Sequence, residues 1–245
     1  VSKGRCFRLV TQGTHDNLAP NGTPEILRVS VDDLILQIKA MQELKAAQGD
    51  EKESCMQMLS RCPDPPTQTA VLTSESILSK IQALDGDGDI TPLGRHLAAL
   101  PCAPKTGRLL VYGALLGCAF PAAVVAALLS CQNPFRSSPD KDERALADAA
   151  KASFMAQSGY KSDQMAVIAA MRAWGTCKGN AERRRFAEQN FLNNNRMQDI
   201  EKLARELLSD LASLGLLLGS PAQALTGTGV DNRNSDKAKL VAAAL

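Results

Sequence analysis

The chain has 245 residues, of which 44% are hydrophobic, 22% charged and 4% aromatic, and 28 Lys and Arg against 26 Asp and Glu leave a net charge of +2. So much apolar residue with so little net charge excludes a disordered chain, and 17 Gly and 12 Pro without a period exclude a fibrous one. The length fits one or two domains, and a charge this near neutral names no partner.

In chain order, Val1 stands where a translation start would carry Met, and the charged stretch after it is not a signal peptide. The expectation is a start inside a longer protein. Cys6, Phe7, Leu9 and Val10 predict a short strand, and residues 11–23 a polar loop. Thr23-Pro24-Glu25 reads as a helix start. Ser30 is expected to cap a longer helix with Val31, Leu34, Ile35, Ile38 and Met41 on one face. Gly49 to Ser54 reads as a charged loop, and Asp64-Pro65-Pro66 as a break. Val71, Ile77, Leu78, Ile81 and Leu84 predict a further amphipathic helix, followed by the turn Asp85-Gly86-Asp87-Gly88-Asp89. Thr91-Pro92-Leu93-Gly94 opens a third helix with Leu93, Leu97 and Leu100 inward. Helix, helix, tight acidic turn, helix is the order of a winged-helix domain.

Beyond Pro104 the expected helices are 105–118, 121–131, 140–156, 161–175, 184–193 and 195–218. Residues 219–235, rich in Gly, Ser, Thr and Asn, read as a linker or loop, and 236–245 as a short helix that stops without a cap. Leu109 to Phe135 carries no charge and is long enough to span a bilayer. Pro121, Gly113 and Gly117 interrupt it, so two buried helices fit better.

Motif by motif, the chain has no phosphate loop of the G-x-x-x-x-G-K-[ST] type, no G-x-G-x-x-G and no Gly-x-Ser-x-Gly. Its two His cannot form an H-E-x-x-H zinc site, and Ile90 and His96 stand where a calcium loop needs Gly and Glu. The acidic turn is therefore expected to be solvated. Seven Cys, an odd number without C-x-x-C spacing, read as reduced buried thiols of an intracellular reducing compartment, whether cytoplasm, nucleus or mitochondrion. The most suggestive cluster is basic and amide-rich. Arg183, Arg184 and Arg185 are followed by Asn190, Asn193, Asn194, Asn195 and Arg196. Arg suits phosphate and Asn suits bases or sugars. A solvated face diluted by Glu182 and Glu188 is the alternative. Trp174, Phe186 and Phe191 read as core anchors.

Several segments in register resemble the C-terminal accessory region of DEAH-box (DEAH/RHA-type) RNA helicases. Gly4 to Leu9 resembles the strand after the last ATPase motif. Pro24 to Arg28, with Leu34, Gln37, Ile38 and Lys39, resembles the entry to the winged helix. Asp64-Pro65-Pro66, Leu93 to Pro101, Gly113 to Cys118 and Asn133-Pro134-Phe135 continue the likeness. Asp163, Trp174 and Asn190-Phe191-Leu192 resemble the helical bundle called the ratchet domain, and Asn234 to Leu245 the lead-in to an OB-fold.

The resemblance implies a mostly α fold: a winged-helix domain followed by a multi-helix ratchet bundle, with a remnant RecA-like strand at the N-terminus. Its expected limits are 1–23 for the RecA-like tail and connector, 24–103 for the winged helix, 104–218 for the ratchet-like domain and 219–245 for the linker. It also implies an ATP-dependent RNA helicase whose ATP and Mg sites belong to RecA-like domains outside this chain, so no catalytic residue or metal ligand is expected within it. The partners implied are single-stranded RNA, the protein's own RecA-like and OB-fold domains and a large ribonucleoprotein, with no membrane. The RNA-binding candidates are Arg183, Arg184, Arg185, Asn190, Asn193, Asn195 and Arg196, from the basic, amide-rich cluster itself, with Gln164 where the family often has His. The sequence departs from the family pattern at Gln164, Ala169, Met171, Asn194, Asn195 and Ala204. Those departures motivate a second expectation, a divergent helicase-like scaffold that does not unwind.

Overall fold

The computed structural model describes residues 4–5, 7–19, 21–46, 53–158 and 161–244. Among them the chain forms thirteen α-helices and no sheet. The expected N-terminal strand does not form among the described residues. Residues 7–9 carry no regular structure, with Phe7 78% and Leu9 97% exposed. A strand without a neighbour leaves its backbone groups unpaired, so sequence propensity alone does not hold one. Cys6 lies outside the described residues. Helix α1 (Gln12–Asp16) occupies part of the predicted loop, capped by Thr11.

The first unit comprises α2 (Asp32–Ala46), α3 (Cys55–Leu59), α4 (Gln68–Lys80) and α5 (Pro92–Ala99). Ile35, Leu36, Ile38 and Gln42 are the buried residues of α2, with Val31 buried just before it, while Leu34 and Met41 face outward, contrary to the expected face. The buried face is rotated because α2 packs between α4 and α5. Ser54 and Gln57 make a capping box on α3, a helix the sequence reading passed over. Residues 49–52 of the expected charged loop lie outside the described residues. Thr67 caps α4 and Thr91 caps α5, whose first residue is Pro92. The wing is reduced to one antiparallel bridge between Leu84 and Ile90. Between them Asp85 accepts hydrogen bonds from the backbone of Asp87 and Asp89, at 3.0 and 2.8 Å. Among the described residues no cluster of three metal-ligating side chains occurs. Gly94 lets α5 approach this turn: a Cβ there would sit 2.2 Å from the Ala83 carbonyl oxygen.

The second unit is built from α6 (Pro104–Leu115), α7 (Ala119–Ser130), α8 (Lys141–Ser158), α9 (Asp163–Gly175), α10 (Gly179–Gln189) and α11 (Asn194–Ser213). Two short helices follow, α12 (Pro221–Leu225) and α13 (Ala238–Ala244). Helix α7 is apolar all round because α6, α9, α11, α12 and α13 enclose it, and every residue from Ala119 to Ala127 is buried. The uncharged 109–135 stretch is thus a pair of core helices, and no helix among the described residues is long and apolar enough to cross a membrane. Pro121 does not start α7, as expected, but sits inside its first turn, where a missing N–H forfeits no intrahelical bond. Gly113 allows α6 and α7 to touch, since its Cβ would lie 2.2 Å from that of Ala122. Helix α5 packs on α6, and one continuous core runs through both units.

The segment 219–235, expected as a linker, is docked. Buried Asp231 accepts from the backbone of Leu218 and Gly219, at 2.9 and 2.8 Å. Buried Asn232 accepts from the Phe120 N–H at the start of α7, at 2.8 Å. Its amide donates to the carbonyls of Ala224 and Thr228, at 2.8 and 3.0 Å. Asn234 donates to the Leu116 carbonyl at 2.7 Å. These bonds satisfy helix-end groups that would otherwise be orphaned. The described thiols follow the core: burial pushes up the pKa of Cys55, Cys118, Cys131 and Cys177, and that of Cys102 to about 11.

Candidate nucleic-acid interface

The basic, amide-rich cluster folds into an elbow between α10 and α11. Helix α10 begins at Gly179, five residues before the expected start, and the chain leaves it at Asn190. Phe191 then takes a left-handed conformation, φ 54°, unusual for a bulky side chain. The neighbouring backbone holds it there. The Arg136 N–H donates to the Phe191 carbonyl and the Asn193 N–H to the Pro134 carbonyl, both at 2.8 Å. Phe135 and Leu192 pair as an isolated bridge. Asn133-Pro134-Phe135 and Asn190-Phe191-Leu192, far apart in sequence, therefore form one structural seam.

Side chains behind the seam fix its angle. Arg183 pairs with Glu201 of α11 through both terminal nitrogens, at 3.2 and 3.3 Å, and its guanidinium carbon lies 4.1 Å from the Trp174 ring centroid. Trp174 is fully buried at the end of α9, and its indole N–H donates to the Asn194 side-chain oxygen at 3.1 Å. Asn193 caps α11, accepting from the backbone of Asn195 and Arg196 at 3.0 and 3.2 Å. Arg196 donates to the Asn133 carbonyl at 2.8 Å, and Asn190 to the Phe186 carbonyl at 2.8 Å. Phe186 continues outward through Phe154 to Phe135, ring centroids 6.4 and 6.1 Å apart.

In front of the seam lies a cavity of about 280 Å³ lined by Arg136, Arg184, Glu188, Asn193, Asn194 and Asn195 among others. Arg136 and Arg184 are exposed, and neither guanidinium has an ion pair among the described residues. One acid, Glu188, lies among two cations and three amides, so the cavity keeps a positive balance.

The expected site residues thus divide. Arg184, Asn193 and Asn195 come together at the cavity. Arg183, Asn190 and Arg196 lie at the elbow, but their side chains are committed to internal partners. Arg185 is exposed on α10 and does not line the cavity. Gln164 is exposed in the first turn of α9, ten residues before Trp174. At 1.5 Å per residue that is about 15 Å away along the helix. Sequence reasoning missed Arg136. Its signal was its place directly after Asn133-Pro134-Phe135, with no charge cluster around it to draw notice. Of the departures from the family pattern, Met171 and Ala204 are buried core positions, while Asn194 holds Trp174 and Asn195 is exposed.

Comparison with known proteins supplies a frame for this geometry. Residues 74–102 match the helicase associated domain (HA2), winged-helix, and residues 103–214 the helicase associated domain (HA2), ratchet-like. A putative DEAH-box ATP-dependent helicase of Mycosarcoma maydis is 33% identical over 226 residues, covering 89% of this chain and 14% of the relative. The ATP-dependent DNA/RNA helicase DHX36 of Bos taurus is 31% identical over 247 residues, covering 100% of this chain and 23% of the relative. The putative ATP-dependent RNA helicase DHX57 of Homo sapiens is 33% identical over 261 residues, covering 100% and 18%. The chain spans less than a quarter of the length of these relatives.

Proposed function

The chain belongs to the DEAH-box RNA helicase family, of which it carries the helicase-associated winged-helix and ratchet-like region, and from that premise we propose that it grips and guides single-stranded RNA at the α10–α11 elbow. The observation that carries the reading is the division of labour among the arginines. Arg183 and Arg196 brace the elbow from behind, while Arg136 and Arg184 open onto one cavity together with Asn193, Asn194 and Asn195. Guanidinium groups suit phosphate and the amides suit base edges or the 2′-hydroxyl. Arg185, the next residue of α10, adds an exposed cation on the adjoining face of the helix.

In the whole protein this grip would be coupled to ATP-driven movement of RecA-like domains, to remodel RNA or a ribonucleoprotein. ATP and Mg belong to those domains, and no residue of this chain is assigned to them. The domain limits follow the same reading: a winged helix at 24–103, a ratchet-like bundle at 104–218, and flanking segments leading from a RecA-like domain and toward an OB-fold. An odd number of cysteines without C-x-x-C spacing suits a reducing intracellular compartment.

The test is the affinity of the chain for a fluorescent oligouridine. Replacing Arg136, Arg184 and Arg185 together by Ala should weaken binding by about a hundredfold, at about 1 kcal/mol for each solvent-exposed charged contact. Unchanged affinity would sink the proposal.

A second reading has one observation in its favour: among its lining residues the elbow cavity has no aromatic ring on which a base could stack. The full protein would then be a non-unwinding scaffold in a large ribonucleoprotein. A strand-separation assay on the full protein decides between them, since ATP-dependent unwinding excludes the scaffold.

A further inference from the structure

A second basic cavity, of about 500 Å³, lies between the C-terminal end of α4, α6 and α13. Lys105, Arg108 and Tyr112 line it from one face of α6, at spacings of three and four residues. Ile81, Leu109 and Ala243 complete apolar walls. No carboxylate lines it among the described residues, and neither cation has an ion pair there.

Arg108 is the unusual member. Its guanidinium carbon lies 5.1 Å from the Tyr112 ring centroid, which fixes its plane. Its Nε is buried and has no hydrogen-bond partner. A buried guanidinium donor without an acceptor is the kind of group that native structures normally satisfy. The Nε itself is covered by protein, while the residue as a whole is half-buried and lines the cavity beside Lys105 and Tyr112.

We propose that this notch binds a 5′-phosphorylated nucleotide, with the phosphate held by Lys105 and Arg108 and the base against the wall of Tyr112, Leu109 and Ile81. Two cations lining one notch, with no carboxylate among its described lining residues, favour a phosphate dianion over the single charge of a carboxylate. The apolar and aromatic remainder of the cavity suits a planar ring. A free mononucleotide and the 5′ end of an RNA strand share this chemistry. The notch is formed by other helices than the elbow, so the proposal does not rest on RNA binding there.

The probe is AMP, titrated into the whole chain by calorimetry. Saturable binding is expected, with adenosine at least tenfold weaker. Lys105→Gln and Arg108→Gln should each weaken AMP about tenfold, and Lys202→Gln, an exposed cation on α11 that lines neither cavity, should leave it unchanged. Lys105 is exposed, so Lys105→Gln keeps the test valid if Arg108→Gln fails to fold. Displacement of AMP by a 5′-phosphorylated oligouridine, and not by its 5′-hydroxyl counterpart, assigns the site to strand ends. Displacement by neither assigns it to the free nucleotide. No saturable AMP binding, full affinity in Lys105→Gln, equal displacement by both strands, or tighter binding of an acidic peptide at the same residues would each overturn the proposal.

Discussion

The bends at 190–195 and 231–235 both place asparagines where helices end, and both are held by contacts to chain a long way off in sequence. At 231–235 the polar groups face inward. Asn232 uses its oxygen on Phe120 and Ser235 and its nitrogen on Ala224 and Thr228, and Asp231 accepts two backbone donors. Such a closed network ties a segment to the core and uses the buried amide and carboxylate internally. At 190–195 the inward bonds of Asn190, Asn193, Asn194 and Arg196 are as specific. They serve, however, to hold open a cavity whose outer arginines have no internal partner. The difference lies in what the network leaves over, not in residue type.

Breaking the closed bend should have the largest effect on stability. Asn232→Ala removes four hydrogen bonds, three of them buried, and should cost about 2–4 kcal/mol in urea-induced unfolding. A loss below about 1 kcal/mol would mean that water replaces the amide without penalty and that the segment is only loosely docked. Next is the brace of the open bend. Arg183→Ala removes an ion pair with Glu201, both side chains about one-fifth exposed (22% and 21%), and the contact with Trp174. It should cost about 2 kcal/mol. The double-mutant cycle with Glu201→Gln isolates the pair, and a coupling near zero would refute its role as a brace. The smallest effect on stability belongs to the outer arginines. Arg136→Ala and Arg184→Ala should each change unfolding free energy by no more than about 0.5 kcal/mol, as surface positions without partners do. A larger loss would show that they hold the fold after all.

These expectations also show which features the sequence made legible. The burial of α7 was readable because nothing charged interrupts it and Pro and Gly exclude a single long span. The winged-helix order was readable from apolar spacing and from Thr91 with Pro92, which mark a helix start by their own chemistry. The docking of 219–235 was not readable. Gly, Ser, Thr and Asn compose a linker and a hydrogen-bonded bend alike, and the deciding partner, the Phe120 N–H, is over a hundred residues away. The same holds within the arginine run. Arg183 and Arg184 are adjacent and chemically identical, and only the packing of Trp174 and Glu201 behind α10 separates brace from exposed cation. On α2 the spacing allowed more than one inward face, and Leu34 and Met41 fell outside the arc that α4 and α5 cover. The N-terminal strand failed for a related reason, since a strand is defined by a neighbour that local sequence does not contain.

The salt dependence of RNA binding tests the central claim most directly. With oligouridine between 50 and 300 mM salt, each phosphate contact on a single strand contributes about 0.7 to the slope of log affinity against log salt. Replacing Arg136, Arg184 and Arg185 together should make that slope shallower by about 2, while Arg183→Ala in a chain that remains folded should leave it nearly unchanged. An unchanged slope in the triple variant, or an equal change in Arg183→Ala, would contradict the assignment of the outer arginines to RNA and of the inner one to the fold.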